Sequence, residues 1–137
     1  MAELQQTLHP MVVHFHIGLL VGASAFEVLG ALMRRAGLRQ AAFYMMWAGF
    51  LGLLVSLPTG LWAAGEQPKT ALHLVRLHRD SGLAATIVFA FVLGLRTVLT
   101  RRKEPGAALW RAYAGLLFVA VVLLGMTGFF GGKLVWG

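Results

Sequence analysis

The stretch His9-Pro10-Met11-Val12-Val13-His14-Phe15-His16-Ile17-Gly18-Leu19-Leu20 opens an apolar segment that runs on to about Met33, with Glu27 its one acidic residue. At 1.5 Å per residue such a run crosses the roughly 30 Å of bilayer hydrocarbon as a helix. Its first turns carry three imidazoles. Ionisable side chains inside a spanning segment are costly and tend to mark a site, so this histidine cluster is the first functional candidate.

Composition agrees with a membrane fold. The 137 residues are 58% hydrophobic and 12% charged, with a mean hydropathy of +0.75, too little polar surface to coat a soluble globule. The expected architecture is an all-α integral membrane protein, one domain over 1–137 with four transmembrane helices in an antiparallel bundle. Spans are expected at about residues 11–33, 41–64, 77–99 and 108–132. Pro10 suits the first helical position, where its missing N–H would be unpaired anyway, and Pro58 is expected to kink span two. Gly49, Gly52, Ser56 and Gly60 give span two a small-residue surface for close packing. Span three is the shortest, since the apolar run from Ser81 to Leu95 reaches only about 22 Å and must borrow polar residues at its ends. Trp110 and Trp136 are expected as interfacial anchors of span four.

The formal charge of +7 does not point to nucleic acid, because the basic residues cluster beside apolar segments instead of forming a polar face. The turns after spans one and three, with their helix ends, hold eight Lys and Arg, against four on the other side. The positive-inside bias therefore places both termini and the loop between spans two and three outside the cytoplasm, and all five histidines with them. Absence of cysteine excludes disulfides, thiolate ligation and iron–sulfur clusters. The opening residues lack the basic region and cleavage site of a signal peptide, so the first span is expected to be retained.

Helical spacing sorts the histidines. His14 and His16, two residues apart, point to nearly opposite faces and cannot serve one ligand together. His14 shares its face with Gly18, Gly22 and Ala25; His78 shares its face with Gly82 and Ala85. Each imidazole thus stands over small side chains, the arrangement a flat macrocycle between helices requires, and histidine is a common axial ligand of haem. Cofactor-binding candidates are therefore His14, His78, Gly18, Gly22 and Gly82, with Arg76 and Arg79 for the propionates of a haem b. The alternative is that small residues serve helix packing and the histidines sit hydrated at the interface. His16 shares a stripe with Leu20, Ala23, Glu27 and Gly30, a candidate polar path from His16 to Glu27. Glu27 is otherwise expected to pair with Arg96 or Arg111 and fix helix register. Met11, three residues before His14, makes a candidate copper pair with it. The ending Gly128-Phe129-Phe130-Gly131-Gly132-Lys133 lacks P-loop spacing and reads as a helix end. No hydrolytic constellation is present.

The histidine-proline opening quoted above, Glu27 followed by Val28-Leu29-Gly30, His78 with Gly82, and Thr127-Gly128-Phe129-Phe130-Gly131-Gly132-Lys133-Leu134-Val135 together resemble a bacterial membrane family catalogued as domain of unknown function 2231. The resemblance implies a four-span protein. Some members are fused to c-type cytochromes or Rieske domains, which implies a role near electron transfer and redox partners of those kinds. His14 and His78 are the positions it carries over as haem ligands. His16 stands where the family commonly has proline, and the ending Val135-Trp136-Gly137 is shorter than tails that continue through another His-Gly. The expected function is a b-type haem electron carrier or redox-complex subunit with bis-histidine ligation near the outer face. The alternatives are a cofactor-free accessory subunit packed on another membrane protein, and an outer-face copper or quinol site.

Overall fold

The computed structural model describes residues 2–65 and 69–136, with side chains described from residue 10 onward. Four long helices account for nearly all of it: α1 (Ala2–Leu32), α2 (Ala36–Ala64), α3 (Leu72–Arg101) and α4 (Ala107–Trp136), with a 3-10 turn at Lys69–Ala71 leading into α3. Each contains a segment long and apolar enough to cross a membrane. No strand occurs among the described residues. A bilayer leaves each backbone N–H and C=O to be satisfied within the protein, and helices do this locally.

The helices pack as two antiparallel hairpins, α1 with α2 and α3 with α4, joined mainly along α2 and α3. Helix α1 faces α3 across the bundle instead of packing beside it. The α1–α2 turn is tight and has an identifiable cap. Arg35 N–H bonds to the Gly30 carbonyl at 2.9 Å and Arg34 N–H to the Ala31 carbonyl at 3.3 Å, with Arg34 left-handed at φ 53°. That bond pattern is the Schellman motif, which satisfies carbonyls at a helix end and favours glycine at the left-handed position.

The sequence boundaries need two corrections. Pro10 lies inside α1, not at its start. Helix α3 begins at Leu72, ahead of the expected start of span three at about residue 77, so His73 and Arg76 belong to it. Its 30 residues reach about 45 Å, which removes the apparent shortfall in length. Pro58 is accommodated on the exposed side of a helix unbroken from Ala36 to Ala64.

The interior is small. Leu20, Met46, Phe89 and Val92 are its largest fully buried side chains. Lipid is as apolar as these residues, so close packing and buried polar contacts hold the helices together more than the hydrophobic effect does. Glycine provides the close packing in the first hairpin. A methyl group on Gly49 would meet Leu20 at 2.7 Å, and one on Gly52 would meet His16 Cβ at 2.8 Å.

Candidate functional site

The stripe His16, Leu20, Ala23, Glu27 and Gly30 is buried along its whole length. At its lower end sits an ionic cluster. Glu27 on α1 accepts from Arg39 Nε through Oε1 and from Arg96 Nε through Oε2, each at 3.2 Å. Arg96 side-chain exposure is 6% and that of Glu27 is 5%, whereas Arg39 keeps 28%. Arg96 also donates from Nη2 to the Arg39 carbonyl at 3.1 Å. The Arg39 guanidinium lies 4.2 Å over the Trp110 ring and that of Arg96 lies 5.8 Å from the Phe43 ring. Three helices meet here through one carboxylate, and a fourth joins through Trp110. The expected Glu27–Arg96 pair is present, while Arg111 is exposed and Arg39 takes the second position.

With both carboxylate oxygens held by guanidiniums, Glu27 is a structural lock. Low dielectric strengthens such a pair, and the two charges tolerate burial because each has hydrogen-bonded partners. Between His16 and Glu27 the stripe offers Leu20 and Ala23, which carry no titratable group, and the adjacent Ser24 hydroxyl donates to the Leu20 carbonyl at 2.8 Å. The stripe packs α1 against its neighbours.

The histidines occupy the opposite end of the bundle. His14 is exposed, and its Nδ1 lies 2.7 Å from the Pro10 carbonyl one turn earlier. His16 is buried against Gly52 of α2. His78 is half-buried, and its Nδ1 lies 2.9 Å from the Thr127 carbonyl on α4. A carbonyl only accepts, so Nδ1 carries the proton in both bonds. The His78 ring also rests on Gly131, where a methyl group would come within 3.0 Å of it.

The small residues below these rings divide in the same way. Gly18 has open space above it, but Gly22 is filled by the Met45 side chain of α2 and Gly82 faces the Thr127 methyl of α4 at 3.5 Å. Packing accounts for Gly22 and Gly82. His14 is exposed on α1, while His78 lies against α4. Arg76 and Arg79 are both exposed, and Arg79 pairs with Asp80 at 2.8 Å. Met11 is 64% exposed, on the same outer surface as His14. No group of three or more His, Cys, Asp or Glu gathers into a metal site among the described residues.

Sequence comparison agrees with this all-helical spanning fold. A family model described as predicted membrane protein (DUF2231) matches residues 5–137. The chain belongs to the DUF2231 family. No curated protein and no solved structure matches it. Two features of this DUF2231 protein escaped sequence reasoning. Arg39 stands in a basic turn and reads there as a topology signal, although it lies twelve residues from Glu27 across a tight hairpin. The His78–Thr127 bond joins positions forty-nine residues apart, and the cue to it was the glycine pair Gly131-Gly132 at the matching level of α4.

Proposed function

We propose that the protein is a membrane subunit of a redox assembly and that His14 supplies an axial nitrogen to a b-type haem on the outer surface of α1. The observation that carries this reading is the bond from His14 Nδ1 to the Pro10 carbonyl. Ligating histidines characteristically donate their other ring N–H to a carbonyl or carboxylate, which fixes the tautomer and orients Nε2. Gly18, one turn below, leaves open surface for a flat ring. A haem bound there supplies one-electron transfer; the chain's part is to hold the imidazole, present a flat apolar surface and offer cations at the same end. Arg76 and Arg79 are the exposed cations for propionates.

The residues fit a single axial ligand. Within one chain His14 lies on the exposed side of α1 while His78 and Gly82 lie against α4, so the site proposed here uses His14 alone. The second axial ligand on this reading comes from a partner or a second copy, in keeping with a subunit role beside a cytochrome c or Rieske-type protein. The charge asymmetry supports an orientation in a bacterial inner membrane with the α1–α2 and α3–α4 turns in the cytoplasm and both termini outside.

A second reading is favoured by the Glu27 lock and the His78–Thr127 bond, which use buried polar chemistry for structure: a cofactor-free accessory subunit of a larger membrane complex. The deciding measurement is the absorption spectrum of the protein purified with its partners in mild detergent from haem-replete membranes. A Soret band lost in His14→Ala and kept in His78→Ala supports the haem reading. A protein without porphyrin leaves the accessory role, and copper lost together in Met11→Ala and His14→Ala would replace haem by a copper site.

A further inference from the structure

The Glu27 cluster holds two guanidiniums to one carboxylate, and the excess charge borders a cavity. This cavity, of about 490 Å³, lies between the first turns of α2, the last turns of α3 and the start of α4, and its polar lining is Arg39, Gln40, Tyr44, Arg96, Thr100 and Trp110. Glu104, the other described acid at this end, is exposed in the α3–α4 turn and does not reach it. An uncompensated positive charge at the edge of a bilayer is costly. A bound anion removes the imbalance.

The lining indicates which anion. Each guanidinium offers five N–H donors in a planar fork that matches phosphate oxygens. Arg39 bonds Glu27 through Nε and stacks on Trp110, and its partly exposed guanidinium lines the cavity. The Tyr44 hydroxyl and Gln40 amide, 3.4 Å apart, add neutral donors. Phe43 and Leu99 give the same cavity an apolar wall, which suits glycerol and the first acyl carbons. Tyr44 and Trp110 are of the type that settles at headgroup depth. Six more cations, Arg34, Arg35, Arg101, Arg102, Lys103 and Arg111, surround this end and raise the local concentration of anions.

We propose that this cavity binds the phosphate headgroup of an anionic phospholipid, which completes the charge balance of the Glu27 lock. The site lies at the opposite end of the bundle from the histidines and is independent of the redox reading.

The test is a thermal-shift titration of the purified full chain in a neutral maltoside detergent. The probes are dihexanoyl phosphatidylglycerol, dihexanoyl phosphatidylcholine and inorganic phosphate. Phosphatidylglycerol should raise the unfolding midpoint by roughly 2–5 °C, and phosphatidylcholine by much less. Gln40→Glu places a carboxylate in the cavity at an exposed position that does not enter the lock, so it should raise the midpoint without lipid. It should also weaken the phosphatidylglycerol response about tenfold or more. Lys133→Gln, at the other end, should respond as wild type. Equal shifts with both lipids, no shift with either, or a full response in Gln40→Glu would overturn the proposal. A shift with inorganic phosphate equal to that with phosphatidylglycerol would overturn the lipid source and assign a soluble phosphate instead.

Discussion

Arg96 of α3 reaches across the bundle to Glu27 of α1, sixty-nine residues away in sequence, and bonds Oε2 through Nε at 3.2 Å. Arg39, from the helix next to α1, holds the other carboxylate oxygen. Removing one member of a buried, hydrogen-bonded ion cluster leaves uncompensated charge, at a cost of about 3–5 kcal/mol. Glu27→Gln is expected to lower stability by that order, and Arg96→Gln by a similar amount. Arg39→Gln should cost less, since its side chain is 28% exposed. Thermal unfolding in neutral detergent measures the series, and equal losses for the two arginines would contradict the geometry.

The histidine end offers a contrast between two glycines. A methyl group on Gly131 would come within 3.0 Å of the His78 ring, whereas Gly18 has nothing within 4 Å. Gly131→Ala is expected to strain the His78–Thr127 bond and cost about 1–3 kcal/mol, as overpacking does. Gly18→Ala should be neutral or stabilising by up to about 1 kcal/mol through helix propensity. Unfolding midpoints of the two variants check this directly.

How much of this was legible in sequence depended on distance along the chain. The spans, the stripe from His16 to Gly30 and the pairing of Glu27 with Arg96 or Arg111 follow from apolar periodicity and from the scarcity of acids in the membrane, and the packing selects Arg96. The small-residue faces were visible too, but periodicity says that two residues share a face and not which helix covers it. Gly22 and Gly82 looked like room for a ligand for that reason, and Met45 and Thr127 proved to fill it. The histidines show the same limit: spacing separated His14 from His16, but only the packing shows that His16 is the buried one.

The α1–α2 turn holds Arg34 at φ 53°. A left-handed conformation costs a residue with a side chain about 1–2 kcal/mol, which glycine escapes. Arg34→Gly is expected to stabilise the protein by up to about 1 kcal/mol, because glycine's greater freedom in the unfolded chain offsets part of the gain. An unfolding midpoint unchanged or lowered by this substitution would show that the arginine side chain contributes more than the backbone strain removes.

Orientation is open to a simple assay because the chain has no cysteine of its own. Single cysteines at Arg102 and Lys69 should label from opposite sides of sealed vesicles, with Arg102 on the cytoplasmic side. Labelling of both from the same side would break the antiparallel bundle, and labelling of Arg102 from outside would invert the orientation.

The order of the two arginines along the chain matters for biogenesis. Arg39 lies in the same hairpin as Glu27, so the first hairpin brings its carboxylate into the bilayer with a counter-charge already beside it. Arg96 has no acid within the apolar part of its own hairpin, and it finds one only when α3 meets α1. The first hairpin is therefore expected to persist in the membrane as a stable intermediate when produced alone, while the second is expected to depend on the first for retention. On that expectation Glu27 is the receptor for Arg96, and completion of the first half is the condition for seating the second.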